Sequence, residues 1–157
     1  MPELAEVKGR IDIPVVTGEE LYTKHEFREV FERRAADIIN PDICNCGGIL
    51  ELKEIAAMAE PYDIVVSPHN ANSVTVALAA SLQLCAHIPN FLILEYFLNF
   101  VETGNQIQRN PFKVDNGYIA VPTGPVLSVE IDEEALAHVA YAEFPQRHLR
   151  TPAEEGP

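Results

Sequence analysis

Short β-branched apolar runs alternate along the first hundred residues with stretches whose apolar positions recur every three to four residues. The first run, residues 11–17 (IDIPVVT), reads as a buried strand that stops at Gly18-Glu19. Thr23-Lys24-His25-Glu26 has the form of a capping box with Thr23 as the cap, and Phe27, Val30 and Phe31 give the ensuing helix one apolar face. Residues 36–40 (ADIIN) predict a second strand ending at Pro41-Asp42. Gly47-Gly48 opens a turn, and residues 49–60 predict a helix with Ile49, Leu52, Ile55, Ala56 and Ala59 on one side. Residues 63–67 (DIVVS) predict a third strand before Pro68-His69-Asn70, followed by a small-residue helix over 74–86. A fourth, short strand over 91–94 (FLIL) ends at Glu95.

Each predicted strand is followed at once by an ionisable residue: Glu19, Asp42, His69 and Glu95, spaced 23, 27 and 26 residues apart. That spacing is one strand plus one crossover helix. Near-continuous apolar strands suit a parallel sheet covered on both faces, and in such folds the C-terminal strand ends open on one side. The pattern therefore predicts four polar groups converging on one mouth. Beyond Glu95 the rhythm stops. Residues 99–111 are polar and read as a loop. Residues 112–121 hold the turn signal Asp115-Asn116-Gly117 and predict a small hairpin. Asp132 is placed to cap a last helix over 133–143, and residues 151–157 read as a tail. The chain thus divides into βα units over 1–98, a hairpin and helix segment over 99–150, and the tail.

Composition narrows the function classes. The chain has 157 residues, enough for one core, and 47% hydrophobic residues, which argues against disorder throughout. Eleven Lys+Arg against 24 Asp+Glu leave a formal charge of −13, which argues against a nucleic-acid or anionic-membrane partner. The longest apolar stretch, residues 74–84, is broken by Thr75, Ser81 and Gln83 and is too short to span a bilayer. Residues 1–10 carry no apolar leader, and three cysteines make no disulfide framework, so a cytoplasmic protein is expected. Cys44 and Cys46 lack a second pair for zinc and read as lining a strand–helix turn, with Cys85 in the core. His25, His87, His138 and His148 are assigned to helix faces or loops.

The four strand ends also offer chemistry. An imidazole beside a carboxylate is held in one tautomer and can move protons near neutrality, so Asp42 and His69 could act as a pair. From the residues alone they read rather as turn residues after Pro41 and Pro68, Glu19 as a solvated loop acid beside Glu20, and Glu95 as a satisfied acid at a strand terminus.

Gly18-Glu19, Pro41-Asp42 with Gly47-Gly48-Ile49, Ser67-Pro68-His69-Asn70, and Asn90-Phe91 with Glu95-Tyr96 occur in order and at suitable spacing. Together, over roughly residues 3–145, they resemble the C-terminal part of the barrel domain in the enolase superfamily. The match is to its mandelate racemase subgroup, and within it to sugar-acid dehydratases of the galactonate dehydratase type. The resemblance implies an α/β fold, the C-terminal portion of a TIM-like (β/α)7β barrel supplying strands six to eight, with the capping domain and first five strands absent. It implies a lyase or racemase in which His69 is the catalytic base and Asp42 its partner. Glu19 would be one ligand of a catalytic Mg2+, and Glu95 would lie near the substrate carboxylate, with Asn70 lining the same mouth. The substrate would be a small-molecule sugar acid.

The family's remaining acidic metal ligands and its Lys-based motif have no counterpart here, since no K-x-K occurs in the chain. A partial barrel inactive on its own is therefore expected. The family's P-G-L-G-V-E pattern appears as Pro125-Val126-Leu127-Ser128-Val129-Glu130, so a backbone turn suited to glycine is expected to strain Val126. Two other readings compete. One is a non-catalytic module whose exposed barrel edges pair with a complementing chain or a second copy. The other is a flavodoxin-like signalling domain phosphorylated on Asp42.

Overall fold

The computed structural model describes residues 1–71, 73 and 75–139. The predicted alternation of strand and helix is present, as α1 (Pro2–Lys8), β1 (Val16–Thr17), α2 (Thr23–Glu32), β2 (Ile38–Ile39), α3 (Ile49–Ala59), β3 (Val65–Val66) and α4 (Thr75–Cys85). The strands lie in chain order β1-β2-β3, all parallel, with Val16 opposite Ile38 and Ile38 opposite Val65. The fourth predicted strand is reduced to one parallel bridge between Val66 and Phe91, in which the Val66 N–H donates to the Asn90 carbonyl at 2.8 Å. The strands are all shorter than the apolar runs. Pro14 has no N–H to donate, and β1 and the residue-91 segment each lack a neighbour on their outer side among the described residues.

Apolar periodicity becomes packing on one side of the sheet. Phe27, Val30 and Phe31 of α2 and Leu52, Ile55, Ala56 and Ala59 of α3 are buried against Ile39 and Val66. Phe27 and Phe31 stack with centroids 6.4 Å apart, and Phe31 stacks on Tyr62 at 5.7 Å. Each fully buried Leu, Ile or Phe contributes about 1.5–3 kcal/mol of transfer free energy. This core holds the strand ends in register.

The start of α2 differs from expectation. Tyr22, not Thr23, is the cap, and it makes no side-chain hydrogen bond. Glu26 still reaches back, accepting from the Tyr22 N–H at 2.6 Å, so only the carboxylate half of the capping box forms. The segment read as a loop over 99–111 contains a short helix, α5 (Val101–Gln106). Its polar composition concealed an element with only one buried position, Gly104. The predicted hairpin is β4 (Val114–Asp115) against β5 (Tyr118–Ile119), closed by Asn116 and Gly117, both at positive φ. α6 (Glu133–His138) is capped by Asp132, whose side chain accepts from the Ala135 N–H at 3.0 Å. The predicted continuation of that helix over 140–143, His148 and the tail lie outside the described residues.

Candidate active site

The four strand-end groups meet. Asp42 and His69 follow adjacent strands and are joined by an isolated parallel bridge, with the His69 N–H donating to the Pro41 carbonyl at 3.1 Å. Their side chains are thereby aligned, and His69 Nδ1 lies 2.8 Å from Asp42 Oδ2. Asp42 is buried at 4% exposure. Its other oxygen, Oδ1, accepts from the Cys44 peptide N–H at 2.7 Å. With both oxygens engaged, Asp42 is a fixed acceptor that keeps the proton on Nδ1 of a neutral imidazole and leaves Nε2 free to take one. The same engagement disfavours Asp42 as a phosphate acceptor, as the flavodoxin-like reading requires.

His69 Nε2 faces the two glutamates, 3.5 Å from Glu19 Oε2 and 3.6 Å from Glu95 Oε2. Glu19 is placed by Gly18, where φ is +133° and a Cβ would come within 2.8 Å of the Phe27 ring. No other residue fits between β1 and Glu19 without displacing the core. Glu95 is set by the Pro68 carbonyl, which accepts its N–H at 3.3 Å, and by the Asn70 peptide N–H, which donates to Oε2 at 2.9 Å. Asn70 itself is buried, 2% exposed, beside a small pocket that Tyr96, Phe100 and Gln108 also line. The peptide N–H groups of Cys44 and Asn70 were missed as site groups. Every residue but proline carries one, so composition holds no signal for them.

The cysteines sit where expected. Cys46 is buried in the β2–α3 turn and Cys85 on α4, and burial pushes both thiols up to about 12. Neither is a nucleophile near neutral pH. His25 and His138 lie on α2 and α6 and His87 just after α4, none at a strand end.

The residues present do not fit a magnesium centre on their own. Among the described residues no three His, Cys, Asp or Glu side chains lie together so as to hold a metal ion. Glu19 is one half-exposed carboxylate facing an imidazole, and Mg2+ needs more oxygen ligands than that to displace its waters.

Residues 1–135 match the family model described as enolase C-terminal domain-like. A D-galactonate dehydratase of Variovorax paradoxus is 37% identical over 134 residues, 82% of this chain and 35% of that protein. A D-xylonate dehydratase of Haloferax volcanii is 35% identical over 131 residues, 83% of this chain and 32% of that protein. A mandelate racemase/muconate lactonizing enzyme-like protein from Rubrobacter xylanophilus superposes with a TM-score of 0.84 at 35% identity, covering 92% of this chain and 37% of its own. An enolase from Agrobacterium radiobacter, crystallised with Na and L-malate, superposes with a TM-score of 0.85 at 29% identity, covering 98% of this chain and 42% of its own. The chain spans about a third of the length of the relatives it matches. Parallel strands in chain order, ionisable groups at their ends and this similarity agree: the chain belongs to the enolase C-terminal domain-like family and is the C-terminal part of its TIM-like barrel.

Proposed function

We propose that this chain is the proton-transfer segment of a cytoplasmic sugar-acid dehydratase, acting on an aldonate. The observation that carries the reading is the hydrogen-bonded Asp42–His69 pair with Nε2 turned toward Glu19 and Glu95. Dehydratase relatives over more than four-fifths of the chain support the substrate class. His69 Nε2 removes the proton α to the substrate carboxylate, and the C–H electron pair becomes the enolic double bond. Protonated His69 then gives that proton to the departing β-hydroxyl, which leaves as water. The enol so produced tautomerises to a 2-keto-3-deoxy acid. Asp42 stabilises the imidazolium between the two steps, and Glu95 is placed beside the substrate carboxylate by the Asn70 N–H. Glu19 serves as one Mg2+ ligand only where other segments supply the rest, so no step here is routed through the metal.

The test is a hybrid in which this chain replaces the matching third of the Variovorax paradoxus enzyme. Expected are dehydration of an aldonate by the hybrid and a loss of about 10³-fold in kcat for Asp42→Asn or His69→Asn, within the range of general acid–base catalysis. The chain alone is expected to turn over no aldonate. A folded hybrid inactive on every aldonate would remove the proposal.

A second reading is favoured by the exposed apolar residues at the sheet's two ends, Val16 on β1 and Leu92 and Ile93 beyond the Phe91 bridge. In it the chain is a non-catalytic module that a complementing chain or a second copy completes.

A further inference from the structure

The start of α2 is held by the next βα unit. Its cap, Tyr22, makes no side-chain hydrogen bond. Thr23 is β-branched yet stands at φ of 55°, in the left-handed region, and a residue in such a conformation persists only where its surroundings over-determine it. Two bonds do so here. The Thr23 N–H donates to the Cys46 carbonyl at 3.2 Å, and the Lys24 N–H donates to Glu51 Oε1 at 2.7 Å. Both acceptors lie in the β2–α3 turn and the first turn of α3. Lys24 Nζ pairs with Glu54 and lies 3.5 Å from Glu51 Oε2. Gly47, at φ of +118°, leaves room for Glu51, since a Cβ there would come within 3.0 Å of the Glu51 Cβ.

The same turn also holds Asp42, whose Oδ1 accepts from the Cys44 N–H at 2.7 Å and whose carbonyl accepts from the Cys46 N–H at 2.8 Å. On the other side of Thr23 lies the loop that carries Glu19. It is closed by the Leu21 N–H, which donates to the Gly18 carbonyl at 3.0 Å, and Asn45 Nδ2 lies 3.5 Å from the Glu19 carbonyl. Helix α2 cannot yield, because Phe27, Val30 and Phe31 are fully buried in the core. Relief of the strain at Thr23 therefore moves the loop, and Glu19 with it.

We infer that Glu51 is a positioning residue: by accepting the Lys24 N–H it caps α2 from the neighbouring unit, keeps Thr23 in its strained conformation and so holds Glu19 opposite His69. A carboxylate suits the task. Its bond to a peptide N–H is charge-assisted, and negative charge is favoured at a helix N-terminus. One turn thereby fixes two of the groups around His69, Asp42 directly and Glu19 through Thr23. The fastening stands on geometry alone, and only the use made of Glu19 rests on the dehydratase reading.

The test is NMR on the full chain. In the unmodified chain the Lys24 amide nitrogen is expected to show a scalar coupling, across the hydrogen bond, to the Glu51 carboxyl carbon. Its absence from spectra that show the coupling between the Asn40 amide and the Thr17 carbonyl overturns the inference whether or not any variant folds. Glu51→Ala should speed hydrogen exchange at the Lys24 and Leu21 amides about tenfold, the equivalent of one hydrogen bond, and leave the Val66 amide in the sheet unchanged. Glu51→Gln keeps an acceptor oxygen and should restore both rates. Lys24→Met removes the ammonium pair but not the N–H, and should leave the Leu21 amide as it was. A Glu51→Ala chain with no change at Leu21 overturns the inference, because Glu51 then has no hold on the Glu19 loop. A Lys24→Met chain that reproduces the change at Leu21 also overturns it, by assigning the hold to the ion pair. None of these readouts involves turnover, so their failure is distinguishable from that of the hybrid.

Discussion

Single residues carry both strain and chemistry in this chain. Val126 has φ of 55° and Ser128 of 56°, the left-handed region, at the two positions where the resemblance puts glycine. Between them Leu127 packs against the core, which holds the loop in that conformation. A β-branched residue there costs about 1–2 kcal/mol relative to its relaxed backbone. Val126 is 95% exposed, so replacing it forfeits no packing. Val126→Gly is therefore expected to raise stability by about 1 kcal/mol after glycine's greater entropy loss, read as a higher urea midpoint. Ser128→Gly should act in the same direction, because it also removes a buried hydroxyl oxygen that lacks a partner among the described residues. Lower midpoints would mean that the loop's packing, not its torsions, governs its stability. The strain at Val126 was legible in the sequence through the missing glycine. The pairing of Asp42 with the Cys44 N–H was not, because it depends on how the turn after β2 folds.

At the scale of elements, the first crossover is tied by Asp37 at the entry to β2. Its Oδ2 accepts from the Val15 N–H at 2.9 Å, and its Oδ1 pairs with Lys8 of α1 at 3.0 Å. The Val15 hydrogen bond, then Lys8, hold its carboxyl below the ordinary value of 3.8. A depressed folded-state pKa contributes stability that is complete above the unfolded value and lost as pH falls through the folded one. Asp37→Asn is thus expected to lower Tm at neutral pH, and the difference from the unmodified chain should shrink progressively below about pH 3.8. A difference that persists unchanged at pH 3 would assign the effect to packing instead. Helices α2, α3 and α4 were legible because amphipathic spacing and turn residues agreed. The strands came out shorter than their apolar runs because a ladder's length is set by its neighbours, which a run of residues does not contain.

For the molecule as a whole, a parallel sheet with no further strand on either edge among the described residues is an incomplete barrel. Val16, Leu92 and Ile93 are 52%, 52% and 63% exposed at those ends. Size-exclusion chromatography with light scattering should show concentration-dependent association. A compact monomer at all concentrations would count against pairing through these edges. Mg2+ at about 10 mM is expected to leave Tm unchanged, since a ligand stabilises only a protein whose native state binds it. A clear rise in Tm would show that Glu19 has metal-binding partners in this chain after all. No helix of the described residues is long and apolar enough to cross a membrane.

Residue order alone determined the alternation of strand and helix, the spacing that puts an ionisable group after each strand, and the absence of any K-x-K motif. These are local properties: periodicity, turn chemistry and identity need no folded context. Tertiary structure decided that Asp42 meets His69 at 2.8 Å, that Nε2 faces two glutamates, and that Asn70 turns its peptide N–H to Glu95. Those contacts join residues about 25 to 50 positions apart. They exist only because parallel pairing brings successive strand ends side by side, at a separation no local pattern encodes.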